Sequence, residues 1–211
     1  MKPVLSGVDH VSTSRTFALI FSIIFHPVLF PFYAFALLVG AGRNEVVLPI
    51  LHHRTEILLL ILGMTVLPII FVLAMKRDIM LRNQEQRTIP YIITLLIYIA
   101  GGLVAFWLAL PILLVALIFS ATVSLFVLMV LNLKLKASMH TFSVGGIMGI
   151  LMFSGWFEES LYWKLWLGAG LLALLVMRVR LILKAHTLPE IAAGFMAGLV
   201  PVFIGLKIAG Y

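Results

Sequence analysis

Cysteine is absent from the chain, aspartate occurs only as Asp9 and Asp78, and charged residues make up 11% of the sequence. The lack of thiols excludes disulfides and thiolate metal sites. Two isolated aspartates argue against a magnesium centre built on paired carboxylates. Neither a dinucleotide-binding glycine loop nor a Walker motif is present. The scarcity of charge has the widest consequence. Hydrophobic residues fill 63% of the 211 positions, where a soluble domain is about half apolar and about a quarter charged. A soluble fold of this length cannot hide so much apolar surface. A bilayer can, using runs of about 20 apolar residues per helical span.

Such runs recur along the chain. After a polar segment at 1–15, candidate spans cover 16–40, 57–75, 89–108, about 112–131, 139–153, 165–179 and 188–209. The first run is too long for a signal-peptide core and lacks a small-residue cleavage site, so it reads as a retained span. His26-Pro27 and Pro31 predict a kink within it. A polar loop is expected at 42–56, and Pro111 predicts a tight turn. The 139–153 run is short and carries Gly145, Gly146 and Gly149. The last run carries Gly194, Gly198 and Gly205. Glycines so placed let membrane helices approach closely. Trp156, Tyr162 and Trp163 predict an interfacial turn. The expected fold is therefore all-α: a polytopic transmembrane bundle of about 6–7 spans forming one integral membrane domain over 1–211.

The net charge is +7, and its distribution speaks for a membrane rather than for nucleic acid, because no soluble basic face is available to a duplex. Lysine and arginine collect at 76–87, 132–137 and 178–184. Two spans separate each segment from the next, so all three are expected on one side. The acidic turn at 156–162 falls opposite. By the positive-inside rule the basic side is cytoplasmic, with seven spans leaving the C-terminus outside.

Two basic segments run into a histidine at a helix mouth, His140 and His186. Imidazole serves as nucleophile or acid near neutral pH. Neighbouring guanidinium and ammonium groups hold phosphate, and helix N-termini aim free N–H groups at the same place. Glu190 stands one turn beyond His186, within reach of its ring. His26 sits inside the first span, where a polar side chain either serves a function or satisfies backbone freed by the prolines. His52, His53 and Glu56 lack a diagnostic metal-binding spacing.

The stretch Arg180, five residues, His186, three residues, Glu190, followed by Gly194 and Gly198, resembles the third motif of the type-two phosphatidic acid phosphatase superfamily, which also includes vanadium haloperoxidases. That motif reads Ser-Arg, five residues, His, three residues, Asp. Val179 replaces its Ser, and Glu190 its Asp. Ala137-Ser138-Met139-His140 is similar to the family's Pro-Ser-Gly-His. The first motif, Lys, six residues, Arg-Pro, has only a loose counterpart in Lys76, Arg77, Arg82, Arg87 and Pro90. An extra hairpin separates it from the second. The chain thus resembles the divergent bacterial branch of the superfamily.

The resemblance implies a lipid-phosphatase-like core in a bacterial inner membrane. The implied activity is hydrolysis of a lipid phosphate or diphosphate presented from the bilayer. His186 would form a phosphohistidine, Glu190 would orient it and His140 would protonate the leaving alcohol. Arg180, Arg87, Lys76, Arg77 and Ser138 would hold the phosphate. No cofactor or metal is implied. The alternative is a degenerate family member that binds or transports lipid without chemistry.

Overall fold

A computed structural model describes residues 9–75 and 85–210, so Lys76 and Arg77 lie outside the described residues. Within them the chain is helical throughout, and no strand forms. Six stretches are long and apolar enough to cross a membrane, and the chain is a helical membrane protein. Its surface is that of a protein immersed in lipid. Leu59, Phe106, Trp107 and Leu174 are each more than 60% exposed. The interior instead holds Arg87, Arg180, His140, Asn132, Ser124 and Thr141. Apolar surface costs nothing against acyl chains, while polar groups must find partners inside.

The first apolar run departs from a single span. Helix α1 (Asp9–Ile24) ends before His26, a short 3-10 turn covers Pro27–Leu29, and α2 (Phe30–Ala41) follows. The hydroxyl of Tyr33 donates to the carbonyl of Ile24. In a continuous helix those residues would stand about 13 Å apart along the axis, so the chain turns sharply here. The prolines explain it, because Pro27 and Pro31 each remove an N–H from the helical ladder.

The loop expected at 42–56 is largely helical. Helix α3 (Asn44–His52) follows the extended residue Arg43, and α4 (Arg54–Ala74) begins two residues after α3 ends. Polar residues at the ends of the segment suggested a loop. Its middle, Val46 to Leu51, is apolar, and Ile50 is fully buried. Arg43 anchors the corner: its backbone N–H donates to Trp156 O at 2.8 Å and its Nε to Phe157 O at 2.9 Å.

Helices α5 (Thr88–Trp107) and α6 (Ile112–Leu131) form a hairpin around the expected turn at Pro111. The short α7 (Met139–Leu151) buries ten of its thirteen residues, which makes it the buried centre of the bundle. Two aromatic donors close its C-terminus, Tyr162 Oη and Trp166 Nε1, each 3.0 Å from Leu151 O. Both belong to α8 (Glu159–Ile182). Helix α9 (Leu188–Ile208) lies directly on α7, with Pro189 in its first turn.

Glycine makes that last packing possible. A Cβ on Gly198 would collide with Phe142 O, one on Gly145 with Phe195 O, and one on Gly194 with Ser138 O. The two backbones are in contact, as the small-residue pattern predicted. Ser138 N donates to Glu190 O at 3.0 Å, and Thr141 Oγ1 to Ile191 O at 2.9 Å. The N-terminal turns of α7 and α9 are thereby held side by side.

Candidate functional site

One end of the bundle gathers the N-termini of α5, α7 and α9 and the C-termini of α6 and α8. Cross-links between the basic segments tie it together. Arg87 Nη1 donates to Ala137 O at 3.0 Å, and Lys136 Nζ to Ala185 O at 3.4 Å. The 41–43 and 156–158 corners, which bond to one another, close the opposite end.

A cavity of about 420 Å³ opens among these elements. Its polar lining includes Arg87, Lys136, His140, Arg180, Lys184 and His186. Its apolar lining includes Met64, Pro68 and Val72 of α4, Tyr98 of α5 and Leu125 of α6. A smaller and almost wholly apolar cavity of about 80 Å³ shares Phe30, Met64, Tyr98, Ala121 and Val202 with it. The space is therefore lined by both cationic and apolar side chains.

His186 sits in the 183–187 connection between α8 and α9, with a side chain 4% exposed. Its Nδ1 is 3.0 Å from Lys136 O and 3.4 Å from Glu190 Oε2. Both neighbours accept, so Nδ1 carries the proton and Nε2 keeps its lone pair. The backbone carbonyl is the nearer partner. Glu190 also reaches back to the Thr187 N–H at 2.9 Å and helps cap α9. Burial, then the Arg87 and Arg180 guanidinium groups, push the His186 pKa down to about 4. The ring is neutral at pH 7, the state a nucleophile requires. Burial, then Arg87, also lowers the Lys136 pKa.

His140 occupies the first turn of α7. Its Nε2 is 3.1 Å from Ser22 O. The acceptor is a carbonyl, so Nε2 carries the proton, and Nδ1 has no hydrogen-bond partner among the described residues. Arg180, at the end of α8, is 8% exposed. Its Nη1 donates to Ser22 Oγ at 3.0 Å, but its Nε has no hydrogen-bond partner among the described residues. A buried guanidinium with an unused donor costs several kcal/mol unless an anion answers it.

Lys184 completes the cationic rim in a left-handed conformation, with φ of 49°. Glycine usually holds this position after a helix. A lysine accepts about 1–2 kcal/mol of backbone strain there, and such strain collects at ligand sites.

The spacing-based candidates His140, His186, Arg180 and Arg87 thus line one cavity, and Glu190 stands behind His186. Ser138 is placed differently. It is fully buried and its Oγ accepts from the Thr141 N–H at 3.5 Å, so the hydroxyl serves the cap of α7 instead of lining the cavity. Lys136, Lys184, Ser22 and His26 line the cavity without having been assigned to it from sequence. The two lysines lay in segments whose charge reads equally as topology. Ser22 carried no signal, since the packing of α1 against α8 brings it here. Among the described residues no group of metal-binding side chains comes together, and His52 and His53 only stack edge to face at 4.9 Å.

Fold and site together define a polytopic helical membrane protein with a buried pocket lined by cationic and apolar side chains. No protein-family model, curated protein or solved structure matches the chain.

Proposed function

We propose that this protein is a membrane-embedded phosphatase for a lipid phosphate or diphosphate, working through a phosphohistidine on His186. The observation that carries the reading is the gathering of Arg180, Arg87 and Lys136 around one cavity with His186. The Nδ1 proton of His186 bonds to Lys136 O, so the ring keeps a lone pair at Nε2. Such a site wants an anion, and the apolar lining of the same cavity wants a hydrocarbon chain. A lipid phosphate supplies both. The family resemblance of Arg180, His186 and Glu190 agrees with this.

In the proposed first step, Nε2 of His186 attacks phosphorus and the bond from phosphorus to the lipid oxygen breaks. The leaving oxygen takes a proton from His140, protonated at Nδ1. Water then attacks phosphorus, the P–N bond breaks, and His140 recovers its proton from that water. Arg180, Arg87 and Lys136 stabilise the charge on the phosphoryl oxygens throughout, which is commonly the largest catalytic term. The site faces the cytoplasm of a bacterial inner membrane if its basic segments obey the positive-inside rule.

A second reading has one observation in its favour. The neutral His140 tautomer spends its only N–H on Ser22 O. A chain that never protonates Nδ1 would hold a lipid phosphate without cleaving it, as a binding or transport protein. Phosphate release from a panel of lipid phosphates and diphosphates decides between the two. Release by the wild type that falls at least a thousandfold in His186→Ala and His140→Ala supports the enzyme. Equal release by all three proteins refutes the assigned roles, and binding without release establishes the second reading.

A further inference from the structure

His26 was the intramembrane histidine with no role assigned, and its placement gives it one. The residue lines the cavity. Its ring stands edge to face against His140, with centroids 5.7 Å apart. Ser22, one helical turn earlier, bonds both Arg180 and His140. Segment 22–26 is therefore a wall of the anion site.

The hydrogen bonds fix which ring nitrogen faces the site's needs. The Val28 N–H donates to His26 Nδ1 at 3.3 Å, capping the 3-10 turn. Nδ1 must then be the unprotonated nitrogen, and the neutral ring carries its proton on Nε2. No protein group accepts from Nε2 among the described residues. Each of the three imidazoles in this cavity thus spends one nitrogen on the backbone and keeps the other. His186 keeps a lone pair at Nε2, His140 a lone pair at Nδ1, and His26 an N–H at Nε2. His26 alone of the three offers a donor without first taking up a proton.

We propose that His26 is a further binding residue of this site, donating its Nε2–H to an oxygen of the bound phosphoryl group. The inference rests on the anion-site reading above but not on turnover, since a lipid phosphate that is held and never cleaved would take the same hydrogen bond. The turn at Pro27–Leu29 then has a purpose in addition to reversing the chain, because it fixes the ring by its Nδ1 and leaves the opposite nitrogen for the ligand.

Two substitutions separate this role from a cap. Asparagine places an acceptor where Nδ1 was and is a strong capping residue, so His26→Asn keeps the turn, while its amide N–H stops short of the Nε2 position. Glutamine reaches further and places a donor near the Nε2 position, so His26→Gln keeps the donor and weakens the cap. The probe is orthovanadate, a phosphoryl mimic, titrated into the full-length detergent-solubilised protein and read by the shift in unfolding temperature. His26→Asn is expected to weaken vanadate binding about tenfold, which is about 1.4 kcal/mol. His26→Gln should stay within about threefold of wild type. Unchanged affinity in His26→Asn overturns the proposal, and so does His26→Gln binding no better than His26→Asn. Failure of the phosphatase reading looks different: wild type binds vanadate, the two variants still rank in that order, and no lipid releases phosphate. A wild type blind to vanadate removes the anion site and this inference with it.

Discussion

At His186 the two ring nitrogens have separate tasks, and a single substitution can divide them. Asparagine can keep a donor near the Nδ1 position, facing Lys136 O, while removing the nitrogen that would attack phosphorus. In His186→Asn, phosphate release should fall by about 10⁴-fold or more, as when other enzymes lose a nucleophile, with thermal stability at pH 7.5 close to wild type. Acid should reveal a second effect. The folded-state pKa is depressed from 6.5 to about 4. The neutral ring therefore contributes stability that is present above about 6.5 and lost as pH falls toward 4, because the unfolded chain binds the proton more readily. Wild type should lose unfolding temperature across that window, and His186→Asn should lose less. Equal losses, measured by thermal unfolding at stepped pH, would mean that the ring is charged in the folded protein. Arg180, His186 and Glu190 were legible because all three lie within eleven residues that span one helix end and the next helix start. His26 and Ser22 were not, since the approach of His26 to His140 depends on a turn whose direction proline content does not reveal, and that of Ser22 on the packing of α1 against α8.

Helices α7 and α9 show how an element, rather than a residue, sets the distance between the two candidate catalytic groups. Their glycines let the backbones touch, and this contact aligns His140 with the His186–Glu190 turn. In Gly198→Ala the new methyl group would strike Phe142 O, with Gly146 N 2.8 Å away as a second obstacle. The helices would have to separate, at a cost of about 1–3 kcal/mol for overpacking, and catalysis should drop more steeply than stability. Gly168→Ala and Gly170→Ala on α8 provide the contrast, because a Cβ at either position meets nothing within 4 Å. They should be neutral or slightly stabilising, as alanine is the better helix former by about 1 kcal/mol. Unfolding temperature and phosphate release for the three variants test both halves of the argument. The packing face was readable from glycine spacing within single helices. That α7 is the buried centre was harder to read, because its thirteen residues look like a failed span until the other helices surround it. Helix α3 was misread for the opposite reason: charges at its two ends outweighed the apolar run between them.

For the molecule as a whole, the geometry makes a topological commitment that exceeds the charge rule. Connections 132–138 and 183–187 meet at the cavity, while the 156–158 corner and the end of α9 lie at the far end of the bundle. The absence of cysteine gives a background-free test. Single cysteines replacing Lys134 and Lys184 should react together with a membrane-impermeant maleimide, and those replacing Glu158 and Gly210 should react together from the other face. If the basic end is cytoplasmic, the second pair labels in intact cells and the first only after permeabilisation. Labelling of the first pair in intact cells would reverse the orientation but leave the site standing, since a lipid headgroup is available in either leaflet. Labelling of Lys134→Cys and Lys184→Cys from opposite faces would be fatal to more than orientation. It would separate the carbonyl of Lys136 from His186, and with it the hydrogen bond that leaves Nε2 free to attack. The phosphatase reading therefore depends on these two connections sharing one leaflet, a condition that charge bias suggests and that the α7–α9 contact imposes.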